Sequence, residues 1–211
     1  MKLYYSPGAC SLAPHIALAE AGVAHDVVKV DLRTHKLADG TDYYTINPKG
    51  YVPLLELDNG ERLSEVAVIL QYIADRKPGG IAPAFGTMER YRVMEWLNFV
   101  ATEIHKQFGP LWHADTPEAT KATQRALLAK RFDLVAKTLA AQPFLMGQAF
   151  GIADAYLFTV VNWAGMLKVD LAPWPALQQF QARVAARPKV HATLKAEGLV
   201  RDPAPTAAVT A

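Results

Sequence analysis

The chain has 211 residues, of which 51% are hydrophobic and 20% charged, with 22 basic and 20 acidic side chains and a formal net charge of +2. This composition is typical of a folded globular protein and excludes general disorder. The charges nearly balance and form no basic run, so nucleic acid is not an expected partner. The N-terminus lacks the apolar core of a signal peptide, and no stretch reaches the ~18 apolar residues of a membrane span, so we expect a cytoplasmic protein with no membrane partner.

The first part of the chain predicts a βαβ unit. Residues 2–5 read as a short strand broken by Pro7-Gly8, and Leu12–Ala21 reads as a helix that ends at Gly22. A second strand follows at Asp26–Asp31. Two strands joined by one helix run parallel through a right-handed crossover.

The next elements complete an α/β domain over residues 1–76. A short helix near Asp42–Ile46 precedes a strand over Val52–Leu57, and Asn59-Gly60 has the chemistry of a tight hairpin turn. Ser64 is expected to cap a helix over Glu65–Ala74, whose apolar residues recur at helical spacing. The predicted order of elements is therefore βαβ-α-ββα.

The remainder of the chain is predicted to be all-helical. Residues 77–87 are rich in Pro and Gly and read as a linker, and nothing beyond them alternates like a strand. A helical domain should cover residues 88–201, and a flexible tail residues 202–211. The predicted helices are 88–111, 118–140, 152–167, 175–186 and 189–196.

A single cysteine, Cys10, excludes an internal disulfide and a four-thiolate metal site. The six histidines are scattered without a ligand cluster, so no metal is expected. Cys10 lies just before the first predicted helix, where unpaired amides and the helix dipole favour an anion and should lower the thiol pKa below ~8.5. The alternative is a buried cysteine that acts as a small hydrophobic residue.

Four motifs, in this order along the chain, resemble the bacterial cysteine-containing (beta) class of glutathione transferases. They are Lys2-Leu3-Tyr4-Tyr5-Ser6-Pro7-Gly8-Ala9-Cys10-Ser11-Leu12, Asn47-Pro48-Lys49-Gly50-Tyr51-Val52-Pro53, Leu63-Ser64-Glu65 and Ile152-Ala153-Asp154-Ala155-Tyr156-Leu157. The resemblance covers roughly residues 1–200 and implies a thioredoxin-like first domain, glutathione as cosubstrate and a symmetric homodimer.

Two positions depart from the family pattern. His35 stands where a lysine usually contacts the glycyl carboxylate of glutathione, and Gly151 stands where Ser or Thr usually caps a helix.

The resemblance also implies a set of glutathione contacts. Val52, before a cis Pro53, would pair with the cysteinyl backbone, while Glu65 and the amide of Val66 would hold the γ-glutamyl zwitterion. Lys36 is expected to substitute for the missing lysine at His35. On the long helix, polar residues at i, i+4 and i+7 are predicted to face the ligand sulfur together with charged neighbours. This group comprises Asn98, Thr102, Glu103, His105 and Lys106.

The glutathione sulfur is expected to contact Cys10 and His105, with Tyr5 and Ser11 as further hydrogen-bond donors. A hydrophobic-substrate pocket is predicted from the large side chains Phe108, Leu111, Trp112, Trp163 and Met166. Three functions remain open at this point. One is conjugation of glutathione to hydrophobic electrophiles in detoxification, a second is glutathione-dependent thiol-disulfide exchange through Cys10, and the third is non-catalytic ligand binding on the same fold.

Overall fold

The computed structural model describes residues 1–200, so the predicted tail at 202–211 lies outside the described residues. Residues 2–75 form a five-stranded mixed sheet with two helices. Their bounds are β1 Lys2–Tyr5, α1 Leu12–Ala21, β2 Asp26–Asp31, β3 Lys36–Leu37, a 3-10 turn Tyr43–Thr45, β4 Leu54–Glu56, β5 Arg62–Ser64 and α2 Val66–Asp75. The predicted βαβ-α-ββα order is present, with the short strand β3 as an addition that the sequence pattern did not indicate.

The sheet has the strand order β3-β2-β1-β4-β5. The central strand β1 pairs parallel with β2, with Leu3 opposite Val27, and antiparallel with β4, with Leu3 opposite Leu55. Leu3 and Leu55 are fully buried beneath α1 and α2. The sheet therefore brings the end of β1 and the loop before β4 to one edge, where the first helix begins.

The rest of the described chain is helical. It comprises α3 Met88–Phe99, a π-helical segment Val100–His105, α4 Lys106–Trp112, α5 Glu118–Ala141, α6 Ile152–Val161, α7 Trp163–Met166, α8 Pro175–Ala185 and α9 Pro188–Ala196. Every residue of α6 is buried, and this helix packs against α1, so the hydrophobic core is continuous between the sheet domain and the helices. No helix within residues 1–200 is both long enough and apolar enough to cross a bilayer.

The start of α2 differs from the prediction. Ser64 does not cap this helix, because it is the last residue of β5 and its hydroxyl accepts a hydrogen bond from Lys49 Nζ at 2.9 Å. Glu65 occupies the N-cap position instead, with φ 72° and ψ 119°. A left-handed φ is uncommon for a residue with a Cβ, and such residues concentrate at functional sites.

The departure at Gly151 has a steric explanation. A Cβ at this position would lie 3.0 Å from the carbonyl oxygen of Ile81, which accepts a hydrogen bond from the next amide, Ile152 N. The helix start is satisfied by Asp154 instead, whose two carboxylate oxygens accept from Gly151 N at 2.9 Å and Leu145 N at 2.8 Å. Glycine therefore lets the linker residue Ile81 pack closely on the start of α6.

Candidate active site

Two cavities meet at Cys10. The first, of about 330 Å³, is a polar cleft between the sheet edge and the helices, and its walls include Val52, Glu65, His105 and Tyr156. The second, of about 440 Å³, is an apolar pocket whose walls include Trp112, Trp163 and Met166. Because Cys10 lines both, a polar ligand and an apolar ligand can meet at this residue.

The Cys10 thiol is protonated, which corrects the prediction that the helix start lowers its pKa. Burial raises its pKa to about 12 and outweighs the nearby backbone amides of Cys10 and Ser11, while Glu65 raises it further. The Sγ atom donates a hydrogen bond to the carbonyl oxygen of Val52 at 3.2 Å, an interaction that only the thiol can make. Loss of hydration therefore exceeds the effect of the helix start, which lies two residues further on at Leu12.

Val52 and Pro53 form the sheet-side edge of the cleft. Their peptide bond is cis, as the resemblance implies. Val52 itself is 3% exposed, so it offers the cleft its backbone rather than its side chain. An extended ligand can pair with such an edge as an additional strand would.

Glu65 projects from the start of α2 into the same cleft. Its Oε1 accepts from Lys49 Nζ at 2.7 Å, and the Tyr51 hydroxyl lies 3.5 Å away. The following amide, that of Val66, belongs to the first turn of α2 and has no intrahelical acceptor. A carboxylate beside a free helix-start amide matches a ligand that carries both an ammonium and a carboxylate group.

His105 faces Cys10 from the helical side. Burial lowers the pKa of His105 to about 4, with a further lowering from Lys106, so the ring is neutral at pH 7. Its Nδ1 lies 2.7 Å from the Tyr156 hydroxyl, and its ring packs against Trp163 at a centroid distance of 4.9 Å. Lys106 also lines the cleft.

The other polar residues predicted on this helix do not line the cleft. Asn98 and Thr102 are exposed, and the Thr102 hydroxyl donates to the backbone oxygen of Asn98. Glu103 instead pairs with Arg131 at 2.6 Å. The physical reason is the π-helical segment Val100–His105, whose turn is wider than an α-helical turn. This turn rotates His105 away from the face that ordinary helical spacing assigns to Asn98, Thr102 and His105 together.

Four further residues predicted at the glutathione site also lie off the cleft walls. His35 stacks on Tyr44 and its Nδ1 contacts the backbone oxygen of Gly50 at 2.8 Å, and Lys36 is an exposed residue of β3. Tyr5 packs on the ring of His15 at 5.7 Å. Ser11 is fully buried and its hydroxyl donates to Ser6 O and accepts from Ser6 N, so it has no proton left for a ligand sulfur.

The apolar pocket includes three of the five side chains predicted for it. Trp112, Trp163 and Met166 line its wall, whereas Phe108 and Leu111 are buried in the core. Phe108 supports the pocket indirectly through an edge contact with Trp163 at 5.6 Å.

Several lining residues escaped the sequence analysis. Tyr51, Ala101 and Tyr156 line the polar cleft, and Leu32 and Leu199 line the apolar pocket. Tyr156 lies within the motif Ile152–Leu157, so the sequence did mark this position. A buried position on a helix, however, does not indicate that its hydroxyl contacts His105. Leu32 and Leu199 come from distant parts of the chain and carry no local signal.

The loop that carries Cys10 is tied to the helical domain at Gly8. The indole N–H of Trp163 donates to Gly8 O at 2.8 Å, and Gly8 N donates to Glu197 Oε2 at 2.9 Å. The other oxygen of this buried carboxylate contacts His15 Nδ1 at 2.8 Å. Gly8 has φ 69°, a conformation that glycine adopts without steric cost.

Among residues 1–200, no group of three or more histidine, cysteine or acidic side chains is arranged to hold a metal ion.

Comparisons with known proteins agree with this architecture. Two family models match, "Glutathione S-transferase, N-terminal domain" over residues 8–76 and "Glutathione S-transferase, C-terminal domain" over residues 99–188. Glutathione S-transferase GstA of Escherichia coli O157:H7 is 48% identical over 201 residues, which cover 94% of this chain and 100% of that protein. The solved structure of a sphingomonad glutathione S-transferase complexed with glutathione is 46% identical, with a TM-score of 0.90, and the match covers 95% of this chain and 100% of that one. A beta-class glutathione S-transferase from Sphingomonas chungbukensis matches with the same identity, TM-score and coverage.

Proposed function

Because this chain belongs to the glutathione S-transferase family, we propose that it binds glutathione in the polar cleft and transfers the glutathione sulfur to an apolar electrophile in the adjoining pocket. The observation that carries this proposal is the position of Cys10, which lines both cavities. A ligand sulfur held beside Cys10 therefore faces the apolar pocket directly. In the reaction, the glutathione thiol loses its proton to water, the sulfur bonds to the electrophilic carbon, and the leaving group departs with its bonding electrons.

The cleft offers one group for each part of the tripeptide from its γ-glutamyl end to its sulfur. Glu65 and the Val66 amide bind the ammonium and carboxylate of the γ-glutamyl residue, and the Val52 backbone pairs with the cysteinyl residue. Lys106 and the neutral His105 face the sulfur and can stabilise its anion. The ammonium of glutathione must displace the Lys49 side chain, which forms an ion pair with Glu65.

The electrophile is expected to be small, apolar and aromatic or aliphatic. Trp112 and Met166 are 48% and 61% exposed, so their contact surface is available to a ligand, while buried Trp163 forms the pocket floor near Gly8. Covering this exposed apolar surface is favourable for an uncharged substrate. Removal of such electrophiles by conjugation would be a detoxification reaction.

A second function, thiol-disulfide exchange, is favoured by one observation. Cys10 is a free thiol at the cleft, where a bound glutathione mixed disulfide would lie beside it. Its pKa of about 12 opposes nucleophilic attack, so we place conjugation first.

Cys10→Ala distinguishes the two functions. Conjugation of a chloronitroarene should survive at a substantial level, because His105 and Lys106 still face the glutathione sulfur. Reduction of a glutathione mixed disulfide should fall by orders of magnitude, since the chain has no second cysteine. Loss of both activities with normal glutathione binding would show that conjugation also needs Cys10, and wild-type protein active in neither assay would refute the proposed function.

We also propose a homodimer in the cytoplasm of a bacterium, with the first domain of one subunit against the helical domain of the other. Sedimentation of the 23.1 kDa chain at micromolar concentration should give a species of twice this mass, and a monomer would refute the assembly.

A further inference from the structure

Tyr156 contacts His105 through a single hydrogen bond. The hydroxyl of Tyr156 and Nδ1 of His105 are 2.7 Å apart, and their rings meet edge to face. Tyr156 is 2% exposed and lies on α6, whose residues are all buried. The tyrosine is therefore a fixed group against which the histidine ring is held.

The direction of this hydrogen bond follows from the available partners. Within residues 1–200, Nδ1 of His105 is the hydrogen-bond partner of the Tyr156 hydroxyl, and no other acceptor lies within reach of it. If Nδ1 carried the imidazole proton, the tyrosine proton would have no acceptor among the described residues, which is unfavourable for a side chain that is 2% exposed. The hydroxyl therefore donates, and Nδ1 accepts.

This assignment determines what the other face of the ring can do. Nδ1 without a proton leaves the single proton of a neutral imidazole on Nε2. Nε2 has no hydrogen-bond partner in the described part of the chain, and His105 lines the cleft beside Cys10. An N–H at this position attracts a sulfur anion, whereas a bare nitrogen lone pair would repel it.

We propose that Tyr156 is a positioning residue, which donates its hydroxyl proton to Nδ1 of His105 and thereby presents Nε2–H to the glutathione sulfur as a hydrogen-bond donor. The inference rests on the proposed function in one respect, the identity of the sulfur. His105 then stabilises the thiolate rather than accepting its proton. The lowered pKa of His105, caused by burial, agrees with a ring that stays neutral.

The tautomer of His105 can be determined by NMR without an activity assay. Long-range ¹⁵N–¹H spectra of the wild-type protein should show His105 with its proton on Nε2, its signals being identified by their absence in His105→Gln. Tyr156→Phe should introduce the Nδ1–H form. A wild-type spectrum with the proton on Nδ1, or a Tyr156→Phe spectrum unchanged from wild type, would overturn the proposal even if conjugation is confirmed.

A double-mutant cycle tests whether Tyr156 acts through His105. Tyr156→Phe should lower kcat for conjugation about 3- to 10-fold while the Kd for glutathione stays within about twofold, the loss of one transition-state hydrogen bond being the upper bound. In the His105→Ala background the same substitution should change kcat by less than about twofold. An equal loss in both backgrounds would show that the hydroxyl acts on the sulfur directly and would overturn the positioning role.

Tyr4→Phe provides the matched control. It removes a tyrosine hydroxyl that contacts Glu56 at 3.4 Å on the sheet, away from the cleft. Its kcat should equal that of the wild type. If no electrophile is conjugated by the wild-type protein, the proposed function fails, and the tautomer spectra still decide the Tyr156 assignment.

Discussion

Replacing Glu65 should weaken glutathione binding far more than it weakens the fold. In the free protein this carboxylate is mostly exposed and its ion pair with Lys49 is open to solvent on both sides, with side-chain exposures of 57% and 44%. Such a pair contributes little to folding because water and salt screen it. In the complex, Glu65→Ala leaves the ligand ammonium without its anion and Lys49 beside it as a like charge.

The magnitude follows from that exchange. A hydrogen bond to a charged group is worth about 1.5–3 kcal/mol. Wild-type binding already includes the loss of the Lys49 contact, so we expect the middle of this range. A loss of about 2 kcal/mol corresponds to a roughly 30-fold higher Kd.

Titration calorimetry and thermal unfolding measure the two quantities separately. The Kd of Glu65→Ala should rise about 30-fold while Tm changes by less than about 2 °C. Glu61→Ala, which removes an exposed carboxylate bonded to Asn59 on the neighbouring hairpin, should change neither. An unchanged Kd, or a fall in Tm that accounts for the loss of binding, would refute the assignment of Glu65 to the ligand ammonium.

Three more predictions concern Cys10, the start of α6 and the contact between Trp163 and Gly8. Because burial raises the Cys10 pKa to about 12, the rate of iodoacetamide alkylation should increase with pH up to about 10 without a plateau, and a plateau below pH 9 would contradict this. The free energy of unfolding should fall as pH rises from about 9 to 12, since the thiol of the unfolded chain ionises first. Asp154→Ala removes the acceptor of two backbone amides and should cost about 2–4 kcal/mol in chemical denaturation, so an unchanged midpoint would contradict it. Trp163→Phe removes the donor to Gly8 and should lower conjugation several-fold, whereas Trp174→Phe, whose indole contacts exposed Asp133, should not; equal effects would argue against the tie at Gly8.

Much of the fold was predictable because local chemistry and tertiary packing agree. The helix Leu12–Ala21 ends at Gly22 with φ 65°, and apolar spacing identified α2 to within one residue at each end. The predicted helix 118–140 differs from α5 by one residue. The failures have a common cause in tertiary packing. Propensity favours Ser64 over Glu65 as a cap, yet the structure places Glu65 there at a left-handed φ, which no local rule favours.

The site was less predictable than the fold. The spacing of Asn98, Thr102 and His105 indicates one helical face only if every turn has 3.6 residues, and a π-helical segment is invisible in that pattern. The pKa of Cys10 depends on desolvation by residues far away in sequence, which outweighs the helix start that the sequence does show. Tyr156 is 51 residues from His105, and only the packing of α6 brings them together.

The contact between Gly8 and Glu197 has a consequence for synthesis of the chain. The two residues are 189 positions apart, one near the N-terminus and the other just after the last described helix. At about 5–20 residues per second, a ribosome adds Glu197 roughly 10–40 s after Gly8. During that interval the sheet domain can fold, but its thiol-bearing loop lacks the carboxylate that anchors it. A nascent chain should therefore bind glutathione only after α9 has left the ribosome, even though the glutathione contacts proposed for its first domain emerge earlier.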